Sequence, residues 1–391
     1  TAYPGDVVLV DDGTYQENLL WPQIDNVTMR SVNGKDLTII NGSDTSESCL
    51  YAGNSQKNII VDGFTFRNGS GSIAPINGAS FGGAIQFYDD VTGELINSNI
   101  IDNGGLDVYG GAVFIGKNSL INIENCYIKG NLDQGSGQIY YRNSTGTVKN
   151  CVIITGGEME INGIYLQNSY SPMEALQFQS SEVEFVDNTV ITTNINRVIY
   201  SYYKPAKIIN NIFYGNFSSF LFTDQMISNE VSFNNIFSVI DLQNYPYKNT
   251  IRSYNGTSGT YLSIVGQNGN FSLNPLFADT INYELTTNSP CINSGNPDFN
   301  YNDPDGTRAD VGANYYSSAL TYVPDDNFEY YLETHNLSGN IVPLGSMSSL
   351  GDGLLNNDYV YSGRIASLTS LDLSNQGSGL SINDLTGISD F

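Results

Sequence analysis

Six segments down the middle of this chain repeat one pattern, a short apolar run broken by two or three polar residues. They read Ile96-Asn-Ser-Asn-Ile-Ile101, Ile123-Glu-Asn-Cys-Tyr-Ile128, Val148-Lys-Asn-Cys-Val-Ile153, Val186-Asp-Asn-Thr-Val-Ile191, Ile209-Asn-Asn-Ile-Phe-Tyr214 and Phe233-Asn-Asn-Ile-Phe-Ser238. Aligned on their third positions (Ser98, Asn125, Asn150, Asn188, Asn211 and Asn235), they are separated by steps of 27, 25, 38, 23 and 24 residues. A short, β-rich, Asn-hinged repeat of that length predicts one coil of a parallel β-solenoid. Coils stack about 4.8 Å apart, so equivalent residues fall in columns. Asn suits such a column twice over: it tolerates the left-handed backbone of a sharp corner and it can hydrogen-bond up and down a ladder.

The same register forecasts the interior. Alternation turns Ile123, Asn125 and the position after the corner inward, giving a column of Asn99, Cys126, Cys151, Thr189, Ile212 and Ile236. Cys126 and Cys151 become stacked neighbours, and free buried thiols are favoured over a disulfide because Cys behaves as a small apolar residue. Cys49 and Cys291 lie near opposite ends of the stack and are not expected to meet.

Composition agrees with this architecture. The 391 residues hold 27 Tyr, 18 Phe and 40 Gly, and no long Ala/Leu/Glu/Lys stretch, which is a β composition. Forty acids against 15 bases give a net charge of −25, which excludes nucleic acid as a partner and suits an extracellular protein able to bind cations. No apolar run approaches the roughly 20 residues needed to span a bilayer. The chain opens in mid-pattern at Thr1, and we read it as processed or partial.

Several longer motifs carry resemblances. Pro4-Gly-Asp-Val-Val-Leu-Val10, Gly13-Thr-Tyr-Gln-Glu-Asn18 and Asn33-Gly-Lys-Asp-Leu-Thr-Ile-Ile-Asn-Gly42 resemble the opening coils of bacterial right-handed parallel β-helix proteins of the pectate-lyase-like superfold. Gly82-Gly-Ala-Ile85 and Gly110-Gly-Ala-Val113 are similar to the strand openings of polymorphic outer-membrane-type repeats; physically, paired Gly marks a corner where no side chain fits. Asn274-Pro-Leu-Phe-Ala-Asp279, Asn288-Ser-Pro-Cys-Ile-Asn-Ser-Gly295 and Asp303-Pro-Asp-Gly-Thr-Arg-Ala-Asp-Val-Gly312 resemble the ending of choice-of-anchor β-helix proteins, which implies a secreted bacterial surface protein. Leu368-Thr-Ser-Leu-Asp-Leu-Ser-Asn375 with Leu385–Phe391 resembles the first repeat of an internalin-like leucine-rich repeat array. Before it, Val323-Pro-Asp-Asp-Asn-Phe-Glu-Tyr-Tyr-Leu-Glu333 reads as a short capped helix. The expected organisation is an all-β right-handed parallel β-helix over residues 1–320, then a small α/β leucine-rich-repeat-like segment over 321–391.

Chemistry is sparser. His335 is the single His and lies in the C-terminal segment, which removes Ser-His-Asp catalysis and His-rich metal sites. What remains is carboxylates holding a cation while a Lys or Arg removes a proton from an acidic sugar. Asp102 and Lys129 fall at equivalent outward positions on adjacent coils, with Asp107, Asp133 and Arg142 close in sequence; Lys129, Asp102, Asp133 and Arg142 are therefore the candidate catalytic group. The alternative for these residues is a solvated charge ladder like Glu124, Lys149 and Asp187. Asn302, Asp303, Asp305 and Asp310 place oxygen ligands around a Gly turn at a spacing suited to Ca2+, although Asp and Gly also build such turns unaided. Tyr140, Tyr141, Tyr202 and Tyr203, in a Tyr-rich middle region, are candidate platforms for sugar faces.

Two functions stay open. The favoured one is a non-catalytic adhesive or glycan-binding module at the cell surface, whose partner is a polysaccharide or another surface protein. The alternative is a carbohydrate-active β-helix enzyme, a lyase on an acidic polysaccharide with Ca2+ as cofactor. Departures from the repeat are where function is expected to sit, namely the 38-residue step between Asn150 and Asn188, the Asp102 and Lys129 face, and the loop at Asp303.

Overall fold

Parallel strands stack coil on coil along this chain. The structure, a computed structural model, describes every residue except 1, 43–46, 74–77, 106, 156–157, 162–163, 168–173, 225–229, 240–249, 256–257, 317–319, 337–338, 345, 347–348, 353, 366–370, 372, 374–381 and 389–391. Two compact units are present: Thr1–Tyr283 with Val311–Asn314, and Glu284–Asp310 with Tyr315–Phe391.

In the first unit each complete coil contributes three short strands. One face is a nine-stranded parallel sheet running from Val7–Val10 through Thr92–Ile96, Leu120–Glu124 and Thr145–Lys149 to Glu230–Ser232. The other two faces belong to a seventeen-stranded sheet, because Thr189–Tyr202 and Ile212–Thr223 pass the corner between them without a break. Their pairing shifts register between Thr192 and Ile195, where the chain bends. This is a parallel β-helix. Its core is the space between the faces, filled by a chain of rings such as Tyr141, Phe178, Phe185 and Phe213, which follow one another across the interior at 6.1, 6.4 and 6.1 Å. Each fully buried Phe contributes about 1.5–3 kcal/mol, so these rings are a substantial share of the stability.

The corner differs from its sequence reading in one instructive way. A corner column and an inner column are both present, but several residues belong to a different one from that expected. The left-handed corner is occupied by Asn97, Asn125, Asn150, Asp187, Asn210 and Phe233, all with φ between 51° and 57°. The next residue of each coil points inward, giving Ser98, Cys126, Cys151, Asn188, Asn211 and Asn234, all buried, with Asn270 continuing the column. Ser98, Asn188 and Asn211 therefore belong to the inner column, Asn125 and Asn150 to the corner, and Asn235 opens the following strand. Asn99 is likewise not inward: it pairs with Tyr127 on the outer face. Most coils carry two polar residues side by side here, so apolar flanks alone cannot tell the two columns apart.

The inner column is a closed hydrogen-bond ladder. Asn188 Nδ2 donates to Asn211 Oδ1 at 3.0 Å, Asn211 to Asn234 at 3.0 Å, and Asn234 to Asn270 at 2.9 Å. The backbone N–H groups of Cys151, Asn188, Asn211 and Asn234 donate to the Oδ1 of the next Asn along, at 2.8–3.0 Å. Buried amides satisfied this way rigidify the coil geometry instead of costing stability. Cys126 and Cys151 end the ladder as free buried thiols, as do Cys49 and Cys291 elsewhere. The Gly pairs act as read from sequence: a Cβ on Gly83 would lie 2.0 Å from Gly111 O, and Gly82 has φ 62°.

The second unit has its own core of Val323, Phe328, Tyr331, Leu332, Leu350, Val360 and Ile365. The capped helix spans Asp326–Thr334, with Asp325 Oδ1 accepting from the N–H groups of Asn327 and Phe328 at 3.0 Å each. Leu320–Tyr322 pairs antiparallel with Tyr359–Tyr361. Of the leucine-rich-repeat-like stretch 368–375, only Leu371 and Leu373 are among the described residues, and both pack on this core. No helix among the described residues is long and apolar enough to cross a membrane.

Candidate functional site

The strand Glu174–Gln179 lies within the long step between Asn150 and Asn188, and its outer row brings together side chains from five coils. Its alternation is plain: Ala175, Leu176 and Phe178 are core, while Gln177 and Gln179 face outward with Glu174 at the edge. It pairs in parallel with Ile139–Arg142 on one side and with the end of Thr189–Tyr202 on the other. Register then fixes the outer rows. Phe114, Tyr140, Gln177, Tyr200 and Phe222 form one; Gly116, Arg142, Gln179 and Tyr202 form the next; Glu174 lies beside Arg197 at the edge.

The antiparallel hairpin Glu158–Ile161 with Ile164–Gln167 lies within the long step that leads to this strand. At one end of the face, strands Ser72–Ile73, Ser80–Phe81 and Val108–Tyr109 form a small flap. Phe81 packs on Phe114 and Tyr140 with ring separations of 4.4 and 6.5 Å. That cover buries Tyr140. Beyond it the rings are accessible: Tyr200 and Tyr202 stack at 4.6 Å and 27°, Tyr203 packs on Tyr202 at 4.7 Å, and Tyr203 is 63 % exposed.

Beneath these rings lies an ion pair. Arg197 Nη2 meets Glu174 Oε2 at 2.9 Å, and the guanidinium sits 4.6 Å from the Tyr200 ring centroid and 5.1 Å from that of Phe222. Glu174 is 2 % exposed, and burial raises its carboxyl to about 7 against the pull of Arg197. Asp133 is one of the charges acting on it and pushes in the same direction. Asp133 Oδ1 accepts from the N–H groups of Gly135, Ser136 and Gly137 at 2.5, 2.7 and 3.0 Å, while Oδ2 is buried without a hydrogen-bond partner; burial raises this carboxyl too. Burial likewise raises the Tyr202 hydroxyl, to about 12, although its hydrogen bond with Gln177 pulls the other way.

The residues expected from sequence are distributed over this geometry unevenly. Lys129 is exposed on the strand Tyr127–Lys129, between Ile101 and Ile154 in the ladder. Asp102 is one residue further along its coil, at a corner with φ 54°, and lies over Gly130, where a Cβ would come within 2.3 Å of Asp102 Oδ1. Asp102 and Lys129 are thus not equivalent positions, because Ile101 fills the one opposite Lys129. Asp133 is a buried turn acceptor and Arg142 ends the strand Ile139–Arg142, so the four do not converge. Tyr141 is a core residue whose hydroxyl donates to Ile121 O at 2.7 Å, and Tyr140 is buried; Tyr202 and Tyr203 are the accessible members of their group.

In the loop after the helical turn Phe299–Tyr301, Asp303 Oδ2 accepts from Asp310 N at 2.9 Å and Asp305 Oδ1 from Thr307 N at 2.9 Å. Asp310 accepts from Asn293 N and Tyr316 N at 2.6 Å each, and Asn302 Nδ2 donates to Gly306 O at 3.1 Å. These groups staple the loop. Asp310 is raised by burial and its side chain hydrogen-bonds with that of Asp303; a group of three acids with oxygens within 4.8 Å of one another is Asp326, Glu329 and Asp358. Glu329 there accepts from Asn356 N and Asn357 N.

Sequence reasoning missed Glu174, Gln177, Gln179 and Arg197. A signal existed: Glu174–Gln179 and Arg197–Tyr202 both open on a charged residue followed by two apolar ones, and register sets the two charged residues side by side. It was hidden because the repeat marks a different corner of the coil.

The sequence matches no protein-family profile and no curated protein. Among solved structures, pectate lyase Pel9A aligns over 80 % of this chain and 88 % of its own, at 13 % identity and a TM-score of 0.35. Pectin methylesterase PemA from Erwinia chrysanthemi aligns over 73 % and 85 %, at 11 % identity and a TM-score of 0.31. The pectin methylesterase from Yersinia enterocolitica aligns over 50 % and 76 %, at 13 % and 0.29. These are likenesses of chain path only; the fold rests on the parallel ladders themselves.

Proposed function

We propose that this chain is a glycan-binding β-helix module of a secreted or surface-attached bacterial protein, and that the face around Tyr200, Tyr202 and Tyr203 is its binding groove. The observation that carries this reading is the accessible aromatic pair on a rigid sheet, flanked in register by Gln177, Gln179 and Arg142. Ring faces take the C–H faces of sugars, and amides and guanidinium groups take their oxygens. The ending-type motif and the leucine-rich-repeat-like stretch support a surface setting by resemblance. Retention on gels containing immobilised polysaccharides, neutral and acidic, tests the reading. Tyr202→Ala with Tyr203→Ala should abolish retention; retention of the double variant equal to that of the parent would refute this location.

A second reading, a carbohydrate-active enzyme, is favoured by one feature, the Glu174 carboxyl held near neutrality beside Arg197. Product release from a polysaccharide panel, lost in Glu174→Gln with binding retained, would separate catalysis from adhesion.

A further inference from the structure

Resting on the glycan-binding reading, we propose that the groove over Glu174, Gln177, Arg197, Tyr200 and Tyr202 takes an uncharged, hydroxyl-rich oligosaccharide and discriminates against polyuronates. The charge distribution argues for this at two scales. Over the whole chain, 40 acids against 15 bases create a field that repels a polyanion before contact. Within the groove, the positive charge of Arg197 is already engaged by Glu174 at 2.9 Å, and the guanidinium is flanked by the Tyr200 and Phe222 rings. Asp133 is buried close enough to raise the Glu174 carboxyl further, and Asp224, which accepts from Tyr203 N at 2.8 Å, adds an exposed acid at the aromatic end. Arg142 is a further cation, half-buried near Tyr202. With Arg197 held by Glu174, Arg142 meets two acids, Asp133 and Asp224, which suits a ligand with a carboxylate on every sugar poorly.

The neutral groups point the same way. Gln177 and Gln179 offer both donors and acceptors, which match hydroxyls and have no preference for an anion. The Tyr202 hydroxyl stays protonated far above neutral pH and can serve as a donor. Tyr200 and Tyr202, stacked at 4.6 Å, give an uncharged pyranose face an apolar seat.

Calorimetric titration of the full chain with cellohexaose, mannohexaose, N-acetylchitohexaose and hexagalacturonate tests the proposal. At least one neutral hexasaccharide should bind, with an affinity that changes less than about twofold between low and high salt. Tyr202→Ala should weaken that binding at least about tenfold and Tyr202→Phe by about threefold or less. Circular dichroism establishes that each variant is folded. Tighter binding of hexagalacturonate than of any neutral sugar, lost in Arg142→Gln, would overturn the ligand class and leave the glycan-binding reading standing. Failure of all four sugars to bind would overturn both, and neutral binding untouched by Tyr202→Ala would overturn the assignment to this groove.

Discussion

Replacing Asn211 tests the inner ladder most directly. Its Oδ1 accepts from Asn188 N at 2.8 Å and Asn188 Nδ2 at 3.0 Å; its Nδ2 donates to Phe185 O at 2.8 Å, Ile209 O at 2.7 Å and Asn234 Oδ1 at 3.0 Å. Asn211→Ala leaves the Asn188 backbone N–H with no acceptor in a fully buried site and removes a donor from three oxygens. A buried orphaned group costs about 1–3 kcal/mol and the hydrogen bonding of the two Nδ2 protons about 1 kcal/mol each, which together give about 3–5 kcal/mol. Asn125→Gly is the control. Asn125 is exposed, its ladder bond to Asn97 is long at 3.3 Å, and its φ of 54° suits Gly, so the change should stay within about 0.5 kcal/mol. Asn211→Asp adds a sign. It keeps the acceptor but faces Asn234 Oδ1 and two carbonyl oxygens with a carboxylate, so its folded pKa is raised and the variant should be relatively more stable at pH 4 than at pH 7. Urea unfolding followed by far-ultraviolet circular dichroism at an unchanged m-value measures all three. An Asn211→Ala cost below about 1 kcal/mol, or an Asn125→Gly cost equal to it, would refute the claim that the inner column holds the coils in register.

Glu174 makes a pH prediction. Its carboxyl rises from an ordinary 4.5 to about 7 on folding, so its contribution is fully present below pH 4.5 and is lost as pH rises through 7. On the order of 3 kcal/mol of that pH dependence should vanish in Glu174→Gln, read as unfolding free energy against pH; parallel curves for variant and parent would contradict it. The four thiols should be silent to a disulfide reagent in the native protein and give four equivalents in denaturant, since all are buried and outside any disulfide and burial raises Cys49 to about 12; two equivalents would mean that Cys126 and Cys151 are bonded. Asp325→Ala should cost the second unit about 1–2 kcal/mol, because Asp325 caps the helix and its Oδ2 also accepts from Asn383 N and Asp384 N at 2.6 and 3.0 Å; an unchanged thermal midpoint would count against that role.

The fold was legible because its determinants are local and repeated. Asn125, Asn150 and the Gly82-Gly83 pair act where the chain turns, and each turn needs the same backbone geometry, so the same residues recur. Register was less legible. Asn210 and Asn211 are chemically identical yet belong to different columns, one at the corner and one inside, and only the pairing of whole strands distinguishes them. The groove was least legible, because it is assembled across coils. Tyr200 meets Gln177 and Phe222 through the ladder, while Lys129 and Asp102, close by every sequence criterion, are set apart by a single residue of register. Tyr140 and Tyr141 show the same limit: alternation sends one outward, but the flap carrying Phe81 covers it from a coil that is distant in sequence.

A physical reason links the ladder to the groove. In a solenoid, every residue turned outward is supported by backbone that the inner columns already hold, so a surface row can change composition without loss of fold. Asn188 and Asn211 of the ladder, and Phe178, Phe185 and Phe213 of the core, lie in the same coils that present Gln177, Tyr200 and Phe222. Glu174 is the exception among the outward residues. A buried carboxylate beside Arg197 adds nothing that a hydrophobic pair could not supply more cheaply, and removing either partner alone would leave a charge stranded. On the proposed glycan-binding reading, hydrophobic replacement of both residues together, Glu174→Leu with Arg197→Met, should keep or raise stability while ligand binding falls. Equal loss of stability and binding would instead make the pair part of the scaffold.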